Sequence, residues 1–102
     1  MAAEIILKPE DVWDFAVDHK YKLMDYKSFV IAKGIDGDGD PIWVLLEGFS
    51  DEEVERDDRI ISNDGFGVYV EDLETEIDWV FVRNSKQCEE VVKYFYEKYL
   101  LL

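Results

Sequence analysis

Two apolar runs, SFVIAKG (28–34) and PIWVLLEG (41–48), are separated by little more than IDGDGD, and this spacing restricts the chain more than any other feature. Each run is rich in the β-branched and aromatic side chains that suit a pleated strand. So short a link cannot carry a crossover between parallel strands, which needs about a dozen residues or more. The two runs are therefore expected to pair antiparallel. IDGDGD is then the hairpin connection, its glycines supplying positive φ and its aspartates facing solvent. FGVYVED (66–72) and EIDWVFVR (76–83) form a second pair, joined by the acidic EDLETE. In the last run Ile77, Trp79 and Phe81 point one way and Asp78, Val80 and Val82 the other, as the two-residue period of a strand requires.

Helical patterns flank these pairs. In LKPEDVWDFAVDHKYK (7–22), Pro9 suits the first helical position, and Glu10 and Asp11 suit the positive end of the helix dipole. Val12, Phe15, Ala16 and His19 share one face, widened by Trp13 and Val17. At the other end, Asn84 with Gln87 forms an N-terminal cap, after which Cys88, Val91, Val92, Phe95, Tyr99 and Leu102 recur at helical spacing. Between the strand pairs, SDEEVERDDRIISNDG (50–65) offers Ser50 and Glu53 as a capping box for a short helix, and DRIIS as a further strand. The expected fold is a single α+β domain over residues 1–102. It has an antiparallel sheet of about four to five strands, with an N-terminal and a C-terminal helix packed on one face.

Composition supports a folded core. The 102 residues are 48% hydrophobic and 15% aromatic, which removes the low hydrophobicity that disorder requires. A single cysteine, Cys88, excludes an internal disulfide and a two-cysteine zinc site. MAAEIILKPEDVW has no basic segment followed by an apolar run, and no stretch approaches the ~18 apolar residues of a membrane span. A soluble, cytoplasmic protein is the expectation.

The charge is not spread evenly. From Gly34 to Val82 there are 16 acidic residues against Arg56 and Arg59, giving −14, which is also the net charge of the whole chain. The flanks hold 9 acidic and 9 basic residues and cancel. Such a field repels nucleic acid and anionic membranes and draws cationic partners inward, so neither direct nucleic-acid binding nor membrane binding is expected.

Each motif with chemical potential has a plainer reading. Asp36, Asp38, Asp40 and Glu47 match four positions of a calcium-binding EF-hand loop. The glycine of its sixth position is replaced by Pro41, which cannot take positive φ, and a strand follows where a helix should. No metal site is expected there. His19, the only histidine, lies on an apolar helical face near a helix end, which suits a structural or dipole role better than general-base catalysis. Cys88 falls on the apolar face of the last helix and behaves there as a small buried hydrophobe. Paired carboxylates carry no specificity among 25 acidic residues, and no Gly-x-Gly-x-x-Gly or Walker loop is present. No cofactor is expected, and the chain does not read as an enzyme.

The remaining feature is an acidic middle that carries Trp43, Phe49, Phe66, Tyr69 and Trp79. Carboxylates beside exposed aromatic rings suit an interface to a basic protein, with charge for steering and rings for anchoring. The leading expectation is a non-catalytic protein of the inhibitor, immunity-protein or antitoxin type. Its partner would be basic: a nuclease, toxin or other nucleic-acid enzyme, with carboxylates standing where phosphates would lie. Immunity proteins and phage-encoded inhibitors often share this size and charge, an analogy that rests on no motif. The expected contacts are Asp36, Asp38, Asp40, Glu52, Glu53, Glu55, Asp57 and Asp58, with Trp43 and Tyr69 as anchors. A cation-binding regulatory module using the 36–40 turn is a second expectation. An acidic structural or adaptor subunit, a homodimer burying the YLLL terminus (99–102), is a third, and a small hydrolase comes last.

Overall fold

A computed structural model describes residues 3–24 and 28–100. The elements in chain order are β1 (Glu4–Ile5), α1 (Pro9–Asp18), α2 (Lys20–Met24), β2 (Phe29–Ile35), β3 (Pro41–Glu47), α3 (Asp51–Arg56), β4 (Phe66–Glu71), β5 (Glu76–Val82) and α4 (Ser85–Tyr99). The strands form one sheet in the order β1-β2-β3-β4-β5, every neighbouring pair antiparallel. The α+β class, the antiparallel sheet and the two terminal helices are as the sequence implies.

Alternation along the strands divides the sheet into two unlike faces. Ile42, Val44 and Leu46 of β3, Phe66, Val68 and Val70 of β4, and Val82 of β5 are buried toward the helices. Against them α1 places Val12 and Ala16, and α4 places Cys88, Val92, Phe95 and Tyr96. The ring of Trp13 meets Phe66 edge-on at 5.3 Å, which fixes α1 over β4. Tyr96 reaches through this layer, and its hydroxyl donates to the Leu7 carbonyl at 2.8 Å. A bulge in β2 buries both Ile31 and Ala32, so the strand contributes two successive residues to the same core.

The other face carries Lys33, Trp43, Leu45, Glu47, Tyr69, Glu71, Trp79 and Phe81, placed opposite one another by the strand register. Part of it is covered by the chain that follows β3. Phe49 and Ile60 pack on Phe81 as a second, smaller core, with Val54 and Trp79 against it. Gly67 makes this possible: a Cβ there would lie 2.9 Å from both the Glu47 side chain and the Phe49 ring.

Three local features differ from the expected pattern. The first helix ends at Asp18 and a separate turn of helix, α2, begins at Lys20. His19 between them has φ −114 and ψ 22, and its ring stacks on Phe15 while Nδ1 lies 2.9 Å from the Phe15 carbonyl oxygen. The ring and the backbone N–H of His19 both use that carbonyl, which closes the helix. DRIIS is not a strand: Ile60 turns back through a hydrogen bond to the Asp57 carbonyl, burying Ile60 and leaving Ile61 exposed. Strand β1 has no counterpart in the expected pattern, because two residues are too few to show alternation. Leu101 and Leu102 of the YLLL terminus lie outside the described residues.

Candidate functional site

Two hairpin links end at the same edge of the molecule because β3 and β4 are antiparallel neighbours. The first is the 36–40 turn. Asp36 organises it: its Oδ1 accepts from the Asp38 N–H at 2.9 Å and the Asp40 N–H at 3.0 Å, and its own N–H donates to the Asp40 carbonyl at 2.8 Å. Gly39 supplies the positive φ of 85° that the turn needs. The second link is built in the same way. Asp72 Oδ1 accepts from Glu74 N–H at 2.8 Å and Thr75 N–H at 2.9 Å. Those two N–H groups hold the Asp72 carboxyl below the usual range, so it is ionised well into the acid range.

The links meet in a shallow depression lined by Asp36, Asp38, Asp40, Asp72, Leu73 and Glu74. A second depression adjoins it through Asp72, Leu73 and Glu74, and reaches Trp43, Glu71 and Glu76. Among the described residues, no lysine or arginine lines either one. Leu73 stands in the middle of these carboxylates at 65% exposure. The result is an acidic end with an apolar projection and the half-buried Trp43 ring beside it.

The second expected group is separate in the chain but linked in space. Ser50 and Glu53 form the capping box: Ser50 Oγ accepts from the Glu53 N–H, and Glu53 Oε1 accepts from the Ser50 N–H. Glu53 is thereby committed to holding α3. Asp57 is committed to Arg59, accepting from its backbone N–H at 2.9 Å and its Nη2 at 3.2 Å. Glu52, Glu55 and Asp58 remain on the exposed surface. Arg59 also donates to Glu76 at 3.1 Å, which joins the α3 segment to the second depression.

Of the expected anchors, Trp43 lines the site and Tyr69 does not. Tyr69 is buried between Leu45 and Trp79 in the register, and its hydroxyl donates to Ser28 Oγ at 2.6 Å. Burial pushes its pKa up to about 12. The exposed apolar side chain at this end is Leu73. Sequence reading also missed Glu71, Asp72, Glu74 and Glu76. Their place beside the 36–40 turn follows from the antiparallel pairing of β3 with β4, which the sequence alone does not show.

The EF-hand pattern is not a loop in three dimensions. Glu47 lies at the far end of β3 from the aspartates, and its Oε1 accepts from Trp79 Nε1 at 2.7 Å. Among the described residues no three His, Cys, Asp or Glu side chains converge closely enough to hold a metal ion. Cys88 is fully buried on α4, where desolvation, reinforced by Glu89, pushes the thiol up to about 12. Among the described residues no helix is long and apolar enough to cross a membrane. No protein-family model, curated protein or solved structure matches this chain.

Proposed function

We propose that this chain is a non-catalytic acidic binding protein that neutralises a basic protein, in the manner of an immunity protein, an antitoxin or a phage-encoded inhibitor of a nucleic-acid enzyme. One observation carries this reading. The carboxylates of the 36–40 and 72–76 links share one end of the sheet, with no cationic side chain among the described residues lining the depressions and with Leu73 exposed among them. A solvated surface needs charge but not a leucine placed among aspartates. Interfaces to basic proteins combine the two, since charge speeds encounter and an apolar anchor slows escape. The carboxylates would occupy the positions that phosphates take on the partner's groove or active-site rim, which makes inhibition competitive.

The test is capture of the partner from the native cell, followed by assay of that partner. A basic nuclease, toxin or other nucleic-acid enzyme whose activity falls on adding this protein, with nucleic acid competing for binding, supports the reading. An acidic partner, or a basic one whose activity and nucleic-acid binding are unaffected in the complex, overturns it.

A further inference from the structure

Arg59 sits in a cage made for a guanidinium group. Its Cζ lies 4.6 Å from the centroid of the Trp79 ring. Asp57 takes the fork of the guanidinium with both carboxylate oxygens, at 3.4 Å from Nε and 3.2 Å from Nη2. Glu76 takes Nη1 at 3.1 Å. A ring face with carboxylates at its margin is the arrangement by which proteins recognise arginine, since the planar cation stacks and donates in the ring plane at once.

Two walls of the cage are fixed without Arg59. Trp79 and Glu76 belong to β5. The Trp79 ring is held by its Nε1–H bond to Glu47 at 2.7 Å and by Phe49 at 6.1 Å between centroids. The occupant is held less firmly. The Arg59 side chain is 53% exposed, and exposed ion pairs and cation–π contacts are individually weak. The cage also joins the acidic end directly, because Glu76 lines the depression that contains Trp43 and Asp72.

We propose that Arg59 is a resident stand-in, and that the Trp79–Glu76–Asp57 cage accepts an arginine side chain from the basic partner in its place. The biological occupant rests on the function proposed above, whereas the capacity of the cage for arginine does not. The partner's arginine stacks on Trp79 and pairs with Glu76 while Arg59 swings into solvent. No covalent change is involved. Binding then exchanges one intramolecular guanidinium for an intermolecular one, so the ring-face contact is specific to arginine and the surrounding charge is not.

The experiment titrates a blocked Gly-Arg-Gly peptide and its lysine counterpart into Arg59→Ala, Arg59→Gln, Arg56→Ala and the unaltered protein. The readout is the Trp79 indole N–H resonance, with the remaining amide spectrum reporting the fold. Arg59→Ala and Arg59→Gln are expected to show a saturable shift with the arginine peptide, about fivefold tighter than the unaltered protein, as removal of one weak competing contact implies. Lysine peptide should bind more weakly, and Trp79→Leu should abolish the saturable binding, followed at neighbouring amides. Arg56→Ala removes the same charge without emptying the cage. An equal response from Arg56→Ala, or no saturable shift in either Arg59 variant, overturns the proposal. Peptide binding without any basic cellular partner would sink the proposed function and leave the cage standing. A captured basic partner with no peptide binding would do the reverse.

Discussion

Glu47 is a carboxylate set among rings, and its behaviour follows from two opposed effects. Desolvation raises its pKa, the hydrogen bond from Trp79 lowers it, and Glu76 and Glu53 raise it further. The net direction is upward, so the protonated form is the one the fold favours relative to the unfolded chain. Its contribution is fully present below the ordinary glutamate range, near ~4.3, and is lost as pH rises through the folded value. Glutamine keeps an acceptor for Trp79 without a charge. At neutral pH Glu47→Gln is therefore expected to match or exceed the unaltered protein in urea unfolding. Glu47→Ala should fall below Glu47→Gln by about 1 kcal/mol, because the indole N–H loses its partner. Equal losses for both variants would mean that the charge itself is needed. Cys88 makes a second test at this scale. Cys88→Ala is expected to cost about 1 kcal/mol, a loss typical of trimming a small core side chain. The fold holds the thiol neutral up to about 12, so its contribution is complete below the ordinary thiol range and fades as pH climbs toward that value. The stability gap between unaltered protein and Cys88→Ala should accordingly narrow above about pH 8.5. Rapid labelling of the native thiol at neutral pH would contradict its burial.

At the scale of elements, α3 depends on its cap more than any other helix does. It spans six residues, Asp51–Arg56, and buries none of them fully. A helix this short has little propagation to offset its nucleation cost, so the capping box and the acidic first turn carry it. Ser50→Ala is expected to cost about 1 kcal/mol locally, read as faster amide exchange at Glu53 and Val54 with little change in α4. Exchange rising equally across the sheet would show that α3 is part of the global folding unit. The same physics explains what could be read from the chain. Elements marked by period and caps were legible: β3 and β5 by alternation, α4 by Asn84 and its apolar stripe. Ser50 and Glu53 offered a cap for α3, but the sequence left residues 50–65 open between helix and strand. What escaped depended on tertiary context. At His19 the ring and the backbone N–H both turn to the Phe15 carbonyl, and Ile60 packs into the pocket that Phe49 and Phe81 make. The site was half legible. Asp36, Asp38, Asp40 and Trp43 are where a hairpin tip should put them, but their neighbours Asp72, Leu73 and Glu74 become visible only once the order of strands is known.

For the whole molecule, the question is whether charge acts by amount or by place. The chain carries −14, all of it between Gly34 and Val82, and the fold gathers seven of those carboxylates around the two hairpin links. Concentrating like charges destabilises a compact state by mutual repulsion, so stability is expected to rise with salt over the range where the Debye length falls from about 30 Å to 8 Å. Binding should show the opposite dependence. Asp36, Asp38 and Asp40 changed together to lysine are expected to slow association with the basic partner about tenfold or more at low salt and to flatten its salt dependence. Folding should suffer mainly through the lost Asp36 turn bonds, which Asp36→Asn with Asp38 and Asp40 reversed would largely spare. Glu89, Glu90 and Glu97 on α4 are exposed and can be reversed together to give the same net charge on the opposite face. That variant should leave association nearly unchanged. Leu73→Ser completes the set: it leaves the charge intact, so association should hold while dissociation speeds up, as expected of a lost anchor. If both triple variants slow association equally, total charge alone matters and the acidic end has no special standing. If Leu73→Ser changes neither rate, the partner reads carboxylates only, and the hairpin end steers without anchoring.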